Sequence, residues 1–305
     1  MRLDLDEGAV RALLRMEEVI PAMEQALAAF SSGSVVQPTR VMVPTAEHQG
    51  FLGVMPAYTG TALGAKLVTF YPQNQGLPTH HATILLFRPE TGEPLVSMDG
   101  RLITEVRTAA VSAVATKYLA RSDASVLAII GSGVQARSHL EALRLVRDFR
   151  EVRVWSPRNA AGFAREHDLH AAASAEEAVR GADVIVTATT SQTPVLLGEW
   201  LSPGMHINAV GAPRPGWREL DDEAMRRARI YVDSHEAAMT EAGDVIAAGT
   251  FFAELGAVVT EAQSGRTSDE EITLFKSVGL AVEDVATAEL VYRNMTGATG
   301  GDAPA

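Results

Sequence analysis

Residues 125–136 read SVLAIIGSGVQA, a short apolar strand that runs straight into Gly131-Ser132-Gly133-Val134-Gln135-Ala136 and then into helical text. The order of strand, glycine-rich turn and helix is what separates a dinucleotide site from a chance run of glycines. Gly131 permits the tight turn, and Gly133 lets the backbone approach a pyrophosphate closely. The small Ala136 lets the helix pack on the strand, while the helix N-terminus offers free N–H groups and a positive dipole end to phosphates. A lone GxGxxA can also be an ordinary strand-to-helix turn. Here the helix, residues 134–146, is followed by a second strand, VRVWS at 152–156, at the separation a βαβ unit requires. The spacing predicts a nicotinamide or flavin nucleotide.

The end of that second strand bears on which nucleotide. An NAD site usually places Asp or Glu there, bonded to the ribose 2′-hydroxyl. This chain has Trp155-Ser156-Pro157-Arg158-Asn159, and the nearest acid, Glu151, lies at the other end of the strand. A hydroxyl and a guanidinium suit a 2′-phosphate, which Arg can grip with two charge-assisted bonds. Arg158 could instead be a solvated residue opening the next helix. The missing acid favours NADPH over NADH.

Outward from this motif, strands and helices alternate: DVIVTAT at 183–189, HINAVG at 206–211 and RIYVDS at 229–234. That alternation predicts a parallel, doubly wound sheet. Before it, Val19, Met23, Leu27 and Phe30 lie on one face of a helix ending at Ser31-Ser32-Gly33. Short strand candidates follow between residues 37 and 95: RVMVP, GFLGVMPAY, GAKLVTFYP, HATILLFRP and PLVSMDG, a mixed or antiparallel sheet. A helix over 103–120, with Ala109, Ala110, Ser112, Ala113 and Ala115 suited to close packing, leads into the glycine-rich strand. Residues 278–293 are again helical, and the last dozen residues, rich in Gly and Ala, are expected to be disordered. The expected fold class is α/β: a Rossmann-type doubly wound parallel sheet domain, residues 119–275, inserted in an N-terminal α+β sheet domain, residues 1–118 plus 276–305, completed by the C-terminal helix. Such an arrangement is expected to leave a cleft where a substrate meets the nicotinamide.

Composition narrows the function. Of 305 residues 47% are hydrophobic and 21% charged, the profile of a globular enzyme. The formal charge of −12, with no Lys/Arg stripe, argues against nucleic acid. With no cysteine, disulfides, thiolate metal sites and cysteine nucleophiles are excluded. The acidic N-terminus shows no secretory signal and no apolar run approaches a membrane span, so no membrane partner and a cytoplasmic location are expected. The 8 histidines show no HExxH-like spacing, so no catalytic metal is expected. His80 and His81 are adjacent and would face opposite sides of a strand. The other histidines are expected to cap, pack or sit in solvent.

Three cations outside the nucleotide segment stand out: Arg40 in QPTRVMV, Lys66 in GAKLVTF and Arg107 in TEVRTAA. Cations with apolar neighbours are seldom left unpaired, because desolvating them is costly. Spacing alone favours structural ion pairs with nearby Asp or Glu, and leaves open a clamp for an anionic substrate.

Taken together, QPTRVMVP, GFLGVMPAY, KLVTFYPQ, MDGRLITEVRTAAVSAVATKYL, IIGSGVQA, EVRVWSPR, GADVIVTATTS, INAVGAPRPGWRELDDE, YVDSHEAA, GDV and FKSVGLAVED resemble the ornithine cyclodeaminase/mu-crystallin family. The resemblance runs over residues 25–292 and is nearest to the mu-crystallin branch, which are ketimine reductases. It implies a homodimer whose N-terminal sheet domain makes the subunit contact, with a Rossmann domain holding the cofactor. It also implies that Arg40, Lys66 and Arg107 hold a substrate carboxylate. Thr79, His80 and His81 match a segment lining cofactor and active site, with Arg107 and Thr108 beside it. Gly131, Gly133, Val134 and Gln135 match the phosphate loop, and Ser156 and Arg158 the 2′-phosphate contact. Thr189, Thr190, Val210 and Ser277 match further cofactor contacts, and Glu241 an acid facing the ligand.

One departure from the family separates its chemistries. Cyclodeaminases and related alanine dehydrogenases carry a GADxPGK-like segment whose aspartate assists proton transfer. Here the segment reads Gly211-Ala212-Pro213-Arg214-Pro215-Gly216-Trp217, with proline at the aspartate position and tryptophan at the lysine position. Proline cannot exchange a proton. The resemblance therefore implies NADPH-dependent reduction of a small cyclic imine carboxylate to a cyclic L-amino acid, with Lys66, Arg107 and Glu241 as catalytic candidates. The alternatives are a cyclodeaminase or amino-acid dehydrogenase, or a non-enzymatic binder of NADPH and a small ligand.

Overall fold

Residues with alternating exposure form the centre of a six-stranded sheet in the computed structural model of the protein, which describes residues 3–297. The chain divides into two compact units, Met1–Arg107 with Leu280–Ala305, and Thr108–Gly279.

The first unit contains β1 (Leu3–Leu5), α1 (Glu7–Leu13), α2 (Met16–Ser31), β2 (Val41–Thr45), β3 (Gly50–Tyr58), β4 (Leu63–Phe70), β5 (His80–Phe87), β6 (Pro94–Asp99) and the start of α3 (Gly100–Leu119). Its sheet runs β1-β6-β5-β4-β3-β2. Strands β2 to β6 pair antiparallel, and β1 joins β6 in parallel, so the sheet is mixed. The three-residue β1 has too short a pattern to be read from sequence. Val19, Met23 and Leu27 of α2 are buried, as the helical spacing predicts. The C-terminal helix, Ala281–Thr296, packs on α2 and on β3, β4 and β5. A Cβ on Gly64 would sit 2.6 Å from Leu85 O and 3.2 Å from Val285 Cγ2, so glycine there permits this close approach of helix to sheet. The expectation of a disordered last dozen is corrected at its start. Asn294 lies in that helix, and its Nδ2 donates to Leu13 O at 2.9 Å and Glu18 Oε2 at 2.8 Å. Residues 298–305 lie outside the described residues.

The second unit contains β7 (Val126–Ile130), α4 (Val134–Arg144), β8 (Glu151–Trp155), α5 (Ala160–His167), β9 (His170–Ala171), α6 (Ala175–Val179), β10 (Val184–Thr187), β11 (His206–Ala209), α7 (Asp222–Arg227), β12 (Arg229–Val232), α8 (His235–Glu241), α9 (Gly243–Ala248), β13 (Ala253–Glu254), α10 (Leu255–Val259) and β14 (Thr273–Lys276). The C-terminal helix is then α11. The eight-stranded sheet is parallel throughout, in the order β13-β12-β14-β11-β10-β7-β8-β9. Order reverses between β7 and β10, the switch point where such sheets bind ligands. Strand β14 went unread: four residues, all buried, slot between β11 and β12 and end in a lysine. The division between units falls inside α3, at Arg107/Thr108, and side-chain bonds explain why. Ser112 Oγ lies 2.9 Å from His139 Nε2, and Asn208 Nδ2 donates to Thr116 Oγ1 at 2.9 Å, tying the later turns of α3 into the parallel-sheet unit. Ala109, Ala110, Ser112, Ala113 and Ala115 are fully buried, as close packing requires. No helix among the described residues is long and apolar enough to cross a membrane.

Candidate active site

In the second unit β7 ends at Ile130, and Gly131 follows at φ 131°. A Cβ there would lie 2.5 Å from Ala188 O, so no other residue fits the turn. Gly133 is the N-cap of α4, has open space where a Cβ would be, and supplies no side-chain cap. The first N–H groups of α4, those of Val134, Gln135 and Ala136, have no partner within the helix. Val134 is 56% exposed, an apolar side chain at the mouth of this turn, and Gln135 Oε1 is buried with no hydrogen-bond partner among the described residues.

At the end of β8, Ser156 Oγ lies 2.8 Å from Ser132 Oγ and accepts from Asn159 N at 3.2 Å, and Arg158 is exposed. Glu151, at the start of β8, is engaged by Arg153 at 2.7 Å. A close-approach glycine and an uncapped helix N-terminus fit a dinucleotide.

Past the ends of β10, β11 and β14 lie the other residues expected at the cofactor. Thr189 N and Oγ1 both donate to Glu219 Oε1 at 2.7 Å. Thr190 is exposed and Val210 half-buried. Ser277 is buried; its Oγ donates to Asp233 Oδ2 at 3.3 Å. Behind them lies a buried ionic network that sequence reasoning missed. Glu219 Oε2 accepts from Thr187 Oγ1 at 2.8 Å. Lys276 Nζ lies 3.3 Å from Asp244 Oδ2 and donates to Gly211 O. Asp244 Oδ1 in turn accepts from Glu219 N and Leu220 N, both at 3.1 Å. Burial pushes the Glu219 carboxyl up, against the opposing pull of Lys276 and the threonines. The network holds the Gly211–Trp217 turn: a Cβ on Gly211 would meet Glu219 Oε1 at 2.4 Å, and Ala212 adopts φ 53° just before the exposed Pro213. Glu241, the last residue of α8, is half-buried in this unit.

The first unit holds a cluster of opposite charges. Lys66 projects from β4 and Arg107 from α3, each almost wholly buried. Both meet the first turn of α11. Lys66 Nζ lies 2.6 Å from Asp284 Oδ2, and Arg107 Nε 3.0 Å from Asp284 Oδ1. Arg107 NH1 lies 2.8 Å from Glu283 Oε2, which also accepts from Leu280 N at 3.1 Å. Ion pairing and convergence of the cations thus occur together, and Glu283 and Asp284 were not foreseen. Acids in a helix's first turn are ordinary, since they complement the dipole, so nothing in VEDV marked them.

Burial lowers the Lys66 ammonium to about 8, with Asp284 opposing and Arg107 and Arg40 adding to the fall. Burial pushes Asp284 up, but Arg107 and Lys66 outweigh it and hold the carboxyl below its usual range. Arg40 is half-buried in the irregular segment before β2. On β5, His80 pairs with Phe70 and Ile84 with Lys66, so His80 shares the Lys66 face by alternation, while His81 turns outward and is exposed. Burial, then Lys66 and Arg107, lower His80 to about 4, so its ring is neutral at neutral pH. Thr79 is exposed, its carbonyl accepting from Tyr71 N at 2.8 Å, and Thr108 is buried. Among the described residues no group of three or more His, Asp or Glu is placed to hold a metal ion.

A glycine-rich turn at the switch point of a parallel sheet, in one chain with a buried cation cluster, defines a nicotinamide-dependent oxidoreductase. The chain belongs to the ornithine cyclodeaminase/mu-crystallin family, whose profile matches residues 5–299. It is 51% identical over 304 residues to ketimine reductase mu-crystallin of Macropus fuliginosus, covering 92% of this chain and 96% of that one. Among solved structures, Δ1-pyrroline-2-carboxylate reductase of Thermococcus litoralis in complex with NADH and L-proline is similar at TM-score 0.92 and 40% identity, covering 97% of this chain and 98% of that one. An archaeal alanine dehydrogenase dimer with bound NAD is similar at TM-score 0.92 and 40% identity, covering 97% and 96%.

Proposed function

We propose that the protein reduces the C=N bond of cyclic ketimine carboxylates, of the Δ1-piperideine-2-carboxylate and Δ1-pyrroline-2-carboxylate type, to cyclic L-amino acids, with NADPH as reductant. The observation that supports this best is the pairing of two almost wholly buried cations, Lys66 and Arg107, in a chain half identical to a ketimine reductase. Reduced nicotinamide, when bound, supplies hydride to the carbon of the C=N bond. The residues of the chain bind and orient. The turn containing Gly131, Gly133, Val134 and Gln135 takes the pyrophosphate, and Ser156 and Arg158 take the 2′-phosphate. Thr79, His80, His81, Thr108, Thr189, Thr190, Val210 and Ser277 line the cofactor. Arg40, Lys66 and Arg107 hold the substrate carboxylate, so the imine carbon is presented in one orientation, a large part of such catalysis. The ammonium of Lys66 has three donors, of which Asp284 and Thr104 engage two. A substrate bound as iminium brings its own proton; for a neutral imine Glu241 is the donor. The active species is a cytoplasmic homodimer joined through the six-stranded sheet.

Steady-state oxidation of NADPH with the five- and six-membered ketimine carboxylates tests the reading, and absence of turnover with both would overturn it. Arg107→Ala is a poor probe of the clamp, because it also strands two buried carboxylates, a change worth about 3–5 kcal/mol of stability. Arg40→Ala and Arg107→Lys separate carboxylate binding from folding. Both should raise KM for ketimine while leaving NADPH affinity within a few-fold.

A further inference from the structure

Only three of the chain's 26 basic residues are lysines, Lys66, Lys117 and Lys276; the rest are arginines. Lys117 is exposed, while Lys66 is 3% exposed and Lys276 fully buried. Arginine is the ordinary choice for a buried ion pair, because its planar fork suits a carboxylate and it holds its charge. A lysine at 66, in a chain that otherwise prefers arginine, installs a compact cation whose charge depends on its surroundings.

Those surroundings centre on Asp284. Its two oxygens are divided between two cations, Oδ2 to Lys66 Nζ at 2.6 Å and Oδ1 to Arg107 Nε at 3.0 Å. Glu283 beside it has a local task, since its side chain caps the N-terminus of α11 through Leu280 N. Asp284 makes no such bond to the backbone among the described residues; its carboxylate is given over to the two cations. We propose, on the functional reading above, that Asp284 is a positioning residue for the reduction, holding Lys66 and Arg107 in fixed register for the substrate carboxylate and supplying the negative charge that keeps the Lys66 ammonium protonated. The charged and titratable groups facing Lys66 are Asp284 and Glu283 from α11, Arg107 from α3, Arg40 before β2 and His80 from β5. The cations among them and burial all favour the neutral amine; Asp284 is the largest opposing influence. Without it Lys66 loses its charge within the neutral pH range, and the clamp loses a cation.

The test uses the intact protein labelled with 13Cε-lysine, whose NMR spectrum should contain three lysine signals, Lys66 being assigned by its loss in Lys66→Arg. Its midpoint should lie near 8 in the unaltered protein. In Asp284→Asn it should fall by about one pH unit or more, since an opposite charge within hydrogen-bond reach shifts a pKa by about 1–3 units. Glu283→Gln, which keeps Asp284, should leave the midpoint in place, and Asp284→Glu should restore most of it. The basic limb of kcat/KM for ketimine should move with the midpoint in Asp284→Asn and recover towards pH 6. A merely structural Asp284 would lower stability and activity at every pH without moving that limb. An unmoved Lys66 midpoint in Asp284→Asn overturns the proposal. Should Asp284→Asn fail to fold, a Lys66 midpoint in the unaltered protein at the ordinary lysine value, or an Asp284→Glu midpoint unrelated to its kcat/KM limb, overturns it equally. A midpoint that shifts in a protein with no ketimine turnover would sink the functional reading and leave the Lys66–Asp284 coupling standing.

Discussion

Glu219 receives the backbone N–H and the hydroxyl of Thr189 on one oxygen, each at 2.7 Å. A threonine whose O–H is committed in this way can only accept from any further partner. Ser191 N donates to Thr189 Oγ1 at 3.1 Å, so one lone pair remains to receive a donor such as a ribose hydroxyl or a carboxamide N–H. The acid therefore sets the hydrogen-bond polarity of a proposed cofactor contact without itself being exposed.

Glu219→Leu should be severely destabilising. It leaves two hydroxyls and an N–H without acceptors and removes a buried negative charge close to Lys276, a loss on the order of 3 kcal/mol or more. Glu219→Gln should cost less, because the amide oxygen still accepts from Thr189 while its N–H₂ can donate to Thr187. Urea denaturation measures the stabilities, and fluorescence titration with NADPH measures binding, which should weaken in the leucine variant. A leucine variant as stable as the parent would remove the network from any account of this unit.

Acid stability should be governed partly by two histidines. Burial depresses His139 to about 4 and His206 to about 3, from an ordinary 6.5. The unfolded chain binds protons that the folded one refuses, so the full contribution is present above about pH 6.5 and is lost as pH falls toward 4 and 3. Two such groups give a slope of about 2–2.5 kcal/mol per pH unit between about pH 6 and 4.5. Urea midpoints measured across that window check it; a flat profile from pH 6.5 to 5 would mean that the rings are hydrated and protonated in the folded state.

Legibility followed the length scale of each signal. β3, spanning Gly50–Tyr58, and the turn at Gly131 were readable because alternation and close approach are local constraints. β14 was not, because four buried residues ending in a lysine resemble no strand until β11 and β12 flank them. The same holds for the site: Lys66 and Arg107 stood out as cations in apolar text, whereas Asp284 looked like any first-turn acid. Its partnership with Lys66 arises only when α11 folds back on β4, and no sequence spacing encodes that.

Discrimination between the two nicotinamide cofactors should rest on Arg158. β8 ends without an acid to bond a 2′-hydroxyl, and Ser156, next to Ser132, is followed by an exposed guanidinium. NADPH should bind tighter than NADH by on the order of tenfold or more, a charge-assisted bond being worth roughly 1.5–3 kcal/mol. Arg158→Ala should erase most of the difference. Equal or tighter NADH binding by the unaltered protein, in direct titrations, would refute the assignment.

Strand β2 should carry the subunit contact. Among the described residues it pairs with β3 alone, and Val41, Met42 and Val43 are each about half exposed, so both faces and the outer edge present apolar surface. Such edges are normally covered or charged. Met42→Lys with Val43→Lys should convert a dimer to monomers in sedimentation equilibrium without loss of the far-ultraviolet circular dichroism. A monomeric parent, or a double variant that stays dimeric, would place the contact elsewhere or remove it.

Pro213 should separate this protein from the deaminating members of its family. Deamination moves protons on and off an amine and its leaving group, which needs a positioned acid–base residue. The turn that would present one has an exposed proline at 213, preceded by Ala212 at φ 53°, with Arg214 stacked 4.9 Å over Trp217. Reduction of a bound iminium asks chiefly for a hydride donor and orientation. Incubation of the unaltered protein with L-ornithine or L-lysine and NAD(P)+ should therefore release no ammonia, while ketimine and NADPH are consumed in step. Restoring Asp at 213 is a weaker test, because a carboxylate there would still lack its partner at Trp217 and would follow a residue, Ala212, already committed to the left-handed region. Stoichiometric ammonia with proline or pipecolate from the unaltered protein would show that another residue supplies the proton transfer, and the proline would then decide nothing about the reaction.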